Sequence, residues 1–457
     1  MRPFTKGDGK AAFSMLKEGF TTGTAAAAAA HAATLLLFGF PLPRSVSVPL
    51  PPFPDNGYAS RQSRLSVPVE DGGLSGETAF ASVIKDGGDD PDVTHGARIT
   101  VTAAHMPFAN TRHRVFGPVR AAGRTENILL YGGEGVGVAT LPGLPVQVGE
   151  PAINPEPRRQ ITAAVLEALR AVTNGRTSAT PTTPDTPEMP RTSGTPGTNR
   201  YASGKDTPAP APGRPEKNRE NPVHILISVA GGENLAQRTM NPRLGVIGGI
   251  SILGTRGIVK PYSHEAWTKT IEQSLDVAAA LGSRKILVST GRRSARLGLA
   301  LYPRLAEQSC IQAADYAAFT LRAAAGKNFF THLFWVCFPG KLLKLAQGLE
   351  NTHAGKGSSD LALVADICRA EGADVALEGR LRASPTLSAA LTLLDDEPKL
   401  LFAILTRLGQ DAFAVMEEWL ASARPSSSSL PELRLHVFST DERLLLTIPD
   451  PGGYGND

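Results

Sequence analysis

The stretch Lys285-Ile286-Leu287-Val288-Ser289-Thr290-Gly291-Arg292-Arg293 decides the reading of the fold. A short apolar run ends in a glycine turn and runs into a helical pattern, the signature of a buried strand feeding a helix. Upstream, Ser263 is placed to cap a helix over 263–281, with Trp267, Ile271 and Leu275 at four-residue spacing. Downstream, 311–325 reads as a helix, 331–338 as a strand, and 342–349 and 360–371 as helices. An earlier strand is read at 224–229. This alternation predicts a parallel sheet with helices on its faces. Such sheets bind ligands beyond the carboxyl ends of their strands.

The other half of the chain has a different texture. Thr21-Thr22-Gly23-Thr24 precedes a run of alanines, so a helix is expected from about 24 to 38, ended by Gly39 and Pro41. Residues 1–18 read as a frayed lead-in. Short β-branched runs at 46–48, 82–85, 99–103 and 127–131 alternate with Gly, Pro and Asp clusters, which predicts strands joined by long loops. A helix is expected over 158–172, with Ile161, Val165, Leu169 and Val172 on one stripe. Residues 175–220 contain no Ile, Leu, Val, Phe or Trp and cannot bury enough apolar surface to offset their ordering entropy. The expected organisation is therefore an α+β domain over 1–174, a disordered, dispensable insertion over 175–220, and an α/β domain over 221–457.

Composition narrows the function. With 47 Lys+Arg against 43 Asp+Glu, the formal charge of +4 gives no bulk attraction to nucleic acid or an anionic membrane. Residues 24–40 are apolar but alanine-rich and interrupted by His31, which predicts a buried helix and no membrane span. Residues 1–16 show no secretory pattern. Cys310, Cys337 and Cys368 form no CxxC pair and are odd in number, which fits a reducing cytoplasm better than a disulfide framework or a structural zinc site. GxSxG, Walker A and HExxH sequences are missing, and the lone histidines have no metal-ligand spacing, so no metal site is expected.

Four segments carry possible chemistry. The densest is Lys85-Asp86-Gly87-Gly88-Asp89-Asp90-Pro91-Asp92-Val93-Thr94-His95-Gly96. Its aspartates should repel one another and raise at least one carboxyl pKa, unless the loop is a solvated turn. The second, Gly132-Gly133-Glu134-Gly135-Val136-Gly137, is either a close backbone approach to a ligand or a tight turn. The third, 248–259, combines glycines and hydroxyls with Arg256, beside Lys260, and suits a cofactor with an adenosine and a charged end. The fourth, Pro339-Gly340-Lys341-Leu342-Leu343-Lys344, enters a helix and is followed by Asn351-Thr352-His353. Each also has a plain structural reading as a glycine-rich connection or a solvated face.

These motifs, in this order and together with Glu18-Gly19-Phe20-Thr21-Thr22-Gly23-Thr24 and Pro151-Ala152-Ile153-Asn154-Pro155, resemble the cobalt-precorrin-5B C1-methyltransferase family of anaerobic cobalamin synthesis, the CbiD family. The resemblance implies transfer of a methyl group from S-adenosylmethionine to C1 of cobalt-precorrin-5B, giving cobalt-precorrin-6A. It implies Asp86, Asp89, Asp92 and His95 as candidates for a catalytic base. Gly248, Gly249, Ser251, Gly254 and Thr255 are then expected to bind the methyl donor. Thr21, Thr22, Thr24, Asn154, Lys341, Asn351 and His353 are expected to bind the macrocycle. The sequence departs from the family pattern at Ala25, where a cysteine is frequent, and at Cys337-Phe338, where Gly-His is usual. Two other readings remain: a corrinoid-binding protein with impaired catalysis, and a nicotinamide-dependent corrin reductase. The oligomeric state stays open.

Overall fold

A computed structural model describes residues 16–53, 63–108, 119–121, 124–126, 128–175, 222–353, 360–423 and 429–450. The chain forms two compact units: Met1–Val136, Ile153–Gly232 and Ser251–Val259 make one, and Gly137–Ala152, Glu233–Ile250 and Lys260–Asp457 the other.

The first unit is a mixed sheet covered by helices. Strand order is Asp71–Ser75, Thr78–Ile84, Arg98–Ala104, Val223–Val229, Ile128–Gly132. All neighbours are antiparallel except the last pair, which is parallel. The helix Thr22–Leu37 packs on the sheet and against the helix Pro155–Asn174. Alanine is both the best helix former and small enough to let neighbours close in on every side, and Ala25–Ala30 are wholly buried. Alternate residues Ile99, Val101 and Ala103 are buried beneath it.

The second unit is a five-stranded sheet in the order Cys310–Gln312, Lys285–Ser289, His332–Cys337, Glu432–Phe438, Leu444–Ile448. The first four strands are parallel and the last is antiparallel. Its main core joins Trp335 and Leu333 of the sheet to Leu343, Leu405, Leu408 and Met416 of the covering helices. Cys310, Cys337 and Cys368 are buried free thiols. Among the described residues no helix is long and apolar enough to cross a membrane.

Three expectations are corrected. The strand at Val223–Val229 does not open the parallel sheet. It pairs with Arg98–Ala104 and Ile128–Gly132 in the first unit, because a strand buried on both faces suits the centre of either sheet. The domain limits at 174 and 221 therefore do not mark the compact units, and 137–152 also groups with the second unit. The helix expected over 311–325 is a three-residue strand, Cys310–Gln312, and a helix, Ala317–Gly326. Ala314, at φ 49°, lies in the left-handed region and breaks any continuous helix there. The insertion read at 175–220 lies outside the described residues except for Gly175, the left-handed C-cap of Pro155–Asn174.

Candidate active site

In the first unit the acidic loop, the threonine turn and residues 251–257 form one hydrogen-bonded assembly. Thr21 caps the alanine helix, its Oγ1 accepting from the Thr24 amide at 3.2 Å. Thr22 Oγ1 accepts from the Leu253 amide at 2.9 Å and donates toward the carbonyls of Leu253 (3.2 Å) and Ser251 (3.3 Å). Thr24 Oγ1 donates to the Gly257 carbonyl at 2.7 Å. Gln160 Nε2 donates to Thr24 Oγ1 at 3.1 Å and to the Pro49 carbonyl at 3.0 Å. All three threonines are buried, so their hydroxyls hold the chain to itself. Asn154, half-buried at the start of Pro155–Asn174, joins through its amide to the Ile252 carbonyl at 2.9 Å.

This packing accounts for glycines whose sequence pattern suggests a ligand. A Cβ on Gly254 (φ 142°) would lie 2.4 Å from Thr21 Oγ1. In the second glycine motif, a Cβ on Gly135 (φ 73°) would lie 2.0 Å from the Val229 carbonyl oxygen. That motif is a tight turn wrapped around the end of Val223–Val229, where Gly133 donates its amide to the Ile227 carbonyl at 2.7 Å. Of the residues nominated for the methyl donor, Ser251, Gly254 and Thr255 belong to the first unit, and Gly248 and Gly249 to the second. Gly249 accepts from Asn241 Nδ2 at 3.1 Å through its carbonyl.

The acidic loop is laced with compensating cations. Lys85 is almost wholly buried, and its Nζ meets Asp92 Oδ2 at 2.5 Å. Asp92 Oδ1 accepts from the Thr94 amide (2.8 Å) and hydroxyl (2.7 Å). Asp86 Oδ2 pairs with Lys17 Nζ at 2.6 Å, and its Oδ1 accepts from the Gly88 amide at 2.8 Å. Asp89, exposed, accepts from the Lys17 amide at 2.7 Å and returns its own amide to the Lys17 carbonyl at 2.9 Å. His95, also exposed, accepts from the Gly87 amide through Nδ1 at 3.0 Å.

The expected upward shift is therefore corrected for Asp86 and Asp92. The Lys17 hydrogen bond, then the Gly88 amide, hold the Asp86 carboxyl below the usual range. Burial pushes Asp92 up, but the Lys85 charge and hydrogen bond, with the bonds from Thr94, outweigh it and leave the carboxyl lowered. Crowding raises a carboxyl pKa only when the negative charges outnumber nearby cations. Lys17 falls in the stretch that reads as a frayed lead-in. The only sequence signal for it is a lysine just ahead of the Glu18-Gly19-Phe20 motif.

The fourth segment lies in the second unit. Lys341 Nζ pairs with the Asp315 carboxylate and donates to the Thr352 carbonyl at 3.1 Å. Lys344 Nζ donates to the same carbonyl at 3.0 Å, and burial, with Lys341 nearby, lowers its pKa. Asn351 Oδ1 accepts from the amide of the exposed His353 at 3.0 Å. The basic face expected at a helix start is thus spent on holding the 351–353 turn.

The family model for CbiD matches residues 10–180 and 213–261. A cobalt-precorrin-5B C(1)-methyltransferase of Nitratidesulfovibrio vulgaris is 43% identical over 83% of this chain and 81% of its own. The enzyme of that name from Rubrobacter xylanophilus is 36% identical over 85% of this chain and 83% of its own. The crystal structure of a cobalamin biosynthesis protein (cbiD) from Archaeoglobus fulgidus is 23% identical, covers 72% of this chain and 79% of that one, and has a TM-score of 0.32. The motifs drawn together in the first unit lie within the matched residues, and the chain belongs to the CbiD family.

Proposed function

We infer that the protein is a cobalt-precorrin-5B C1-methyltransferase acting in the cytoplasm, with S-adenosylmethionine as co-substrate. The relatives named for that reaction align with most of this chain. In the reaction, C1 of the macrocycle attacks the methyl carbon and the C–S bond breaks. The bonding pair stays on sulfur, giving S-adenosylhomocysteine. The protein's task is to align the two molecules, exclude water and accept any proton the macrocycle releases.

The observation that carries the site assignment is the union of the acidic loop with the threonine turn and residues 251–257 in one hydrogen-bonded assembly, joined where the Phe20 amide donates to the Asp86 carbonyl at 2.8 Å and the Thr21 amide to the Gly257 carbonyl at 3.1 Å. Within the loop, Asp86 and Asp92 have both carboxylate oxygens engaged and act as positioning residues. Asp89 and His95 are the exposed side chains of the four. Asp89 is the group we assign to proton transfer, and His95 presents its exposed ring to the substrate. Thr21, Thr22, Thr24 and Asn154 support this surface through the chain they hold. Lys341, Asn351 and His353 belong to the second unit, where Lys341 acts through Asp315 and Thr352 to hold the 351–353 turn.

Mass spectrometry of cobalt-precorrin-5B incubated with the protein and S-adenosylmethionine tests the reading. One added methyl group, with S-adenosylhomocysteine formed in equal amount, is expected. Unchanged macrocycle would overturn it, and reduction dependent on NADPH would favour the reductase alternative.

A further inference from the structure

We propose that S-adenosylmethionine binds in a cavity at the carboxyl edge of the second unit's parallel sheet. The proposal rests on the methyltransferase reading and adds a location to it. The cavity has a volume of about 470 Å³ and is lined by His264, Glu272, Tyr316, Phe319, Arg322 and Glu350, among others. That size falls within the ~300–1,000 Å³ typical of small-molecule sites.

Its position follows from the topology. Tyr316 follows the carboxyl end of the strand Cys310–Gln312, in the link to the helix Ala317–Gly326. The helix His264–Ala280 leads into the strand Lys285–Ser289, so its first turn reaches the same edge. The His264 ring meets the Tyr316 hydroxyl through Nδ1 at 2.9 Å. The third wall is the turn after the helix Pro339–Ala346. It is seated by the Glu350 carbonyl, which accepts from the Ala318 amide at 3.2 Å, and by the Thr352 amide, which donates to the Asp315 carbonyl at 2.9 Å. Parallel α/β sheets bind their ligands at this edge.

The lining matches the parts of the donor. Tyr316 and Phe319 supply flat apolar faces for adenine, and the edge-on His264 ring, 5.4 Å away between centroids, fixes the Tyr316 ring. Glu272 and Glu350 are acceptors for ribose hydroxyls and for the ammonium group. Arg322 brings a guanidinium to the lining and suits the methionine carboxylate. Its present ion pair with Glu350, at 2.6 Å, is solvent-exposed on both sides and therefore readily exchanged. Glu272 is shared with Lys269 at 3.3 Å. By contrast, Gly254, in the segment nominated from sequence, is already accounted for by its contact with Thr21.

Calorimetry on the full chain tests the assignment, with S-adenosylmethionine and adenosine as probes. Ala323→Trp, at a partly exposed lining position, should fill the cavity and weaken both ligands at least tenfold. Arg322→Ala should weaken S-adenosylmethionine at least tenfold and adenosine much less, because adenosine has no carboxylate. Thr78→Ala, on an exposed hairpin of the first unit, should leave both affinities unchanged. Circular dichroism checks that each variant is folded, and Glu272→Gln replaces either one that is not. Wild-type binding that survives Ala323→Trp and Arg322→Ala overturns the location alone. A wild-type protein that binds no S-adenosylmethionine overturns the methyltransferase reading and the location with it.

Discussion

Replacing Asp92 by asparagine separates two accounts of the acidic loop. If the loop were a set of mutually repelling carboxylates, removing one charge would stabilise the fold. The structure gives the opposite sign. Lys85 is 2% exposed and its ammonium meets Asp92 at 2.5 Å. The asparagine side chain would keep a carbonyl oxygen for Thr94 but leave the Lys85 charge buried without a counter-ion. Breaking a buried pair from one side costs about 3–5 kcal/mol. Asp92 retains 24% of its side-chain exposure, so water screens part of that cost and the lower end, about 3 kcal/mol, is expected. For a unit of this size that corresponds to a fall in thermal midpoint of about 6–12 °C.

Asp89→Asn is the internal control. Asp89 is exposed, and an amide oxygen can still accept from the Lys17 amide, so the midpoint should change by less than about 0.5 kcal/mol in equivalent free energy. Turnover should nevertheless fall about a hundredfold or more if Asp89 accepts the proton. Adding Lys85→Met to Asp92→Asn should restore much of the lost stability, because the uncompensated charge is gone. Thermal unfolding followed by circular dichroism reads both effects. An Asp92→Asn midpoint equal to or above wild type would refute the compensation argument.

The remaining expectations follow from groups whose surroundings are equally plain. Asp86 and Asp92 titrate below the ordinary carboxyl range, so their contribution is complete above that range and is lost as pH falls through it toward the lowered values. Acid unfolding should therefore become shallower in Lys17→Met, which frees Asp86. Burial first, and Arg434 second, push His436 from 6.5 down to about 4. The unfolded chain takes up that proton earlier, so about 3 kcal/mol of stability is present above pH 6.5 and disappears on the way down to 4. His436→Gln should flatten that part of the denaturation curve. Burial raises Cys310 and Cys368 and pushes Cys337 up to about 12, so thiol titration of the native protein should show no fast-reacting group, and one rapid equivalent would contradict the packing. Gly88→Ala places a Cβ 2.1 Å from the Lys17 carbonyl at φ 62°, which should lower the midpoint and the activity together.

What is legible in the sequence has a short-range cause. The alanine run between Thr21 and Gly39 dictates a helix on propensity and capping alone, and Thr22–Leu37 is that helix. The apolar run at 285–290 dictates a strand for similar reasons. What is not legible depends on partners far along the chain. Val223–Val229 reads as a strand from its own residues, yet nothing local says that its neighbours are Arg98–Ala104 and Ile128–Gly132. Lys17 and Asp86 lie 69 residues apart, so the acidic loop looks uncompensated until the chain folds. Glycines mislead for the same reason. Gly254 signals that something comes close, and only the structure shows that Thr21 does so.

The same distinction bears on the two departures from the family pattern. A cysteine in place of Ala25 would stand in a helix position with no solvent exposure, enclosed much as Cys337 is. In this fold that position has no solvent-facing side, so alanine there removes packing volume and no accessible nucleophile. At 338 the fold uses the backbone: the Phe338 carbonyl accepts from the amides of Lys341 at 2.9 Å and Leu342 at 3.1 Å, which starts the helix Pro339–Ala346 whatever the side chain. The ring lies beneath the Arg293 guanidinium, 5.1 Å from its centroid, and is partly exposed. Phenylalanine here gives up an imidazole and places an apolar ring beside the Arg293 guanidinium. Neither substitution removes Lys17, Lys85, Asp86, Asp89, Asp92, His95 or the threonine network. The loss-of-catalysis reading therefore has no support in the residues that first suggested it.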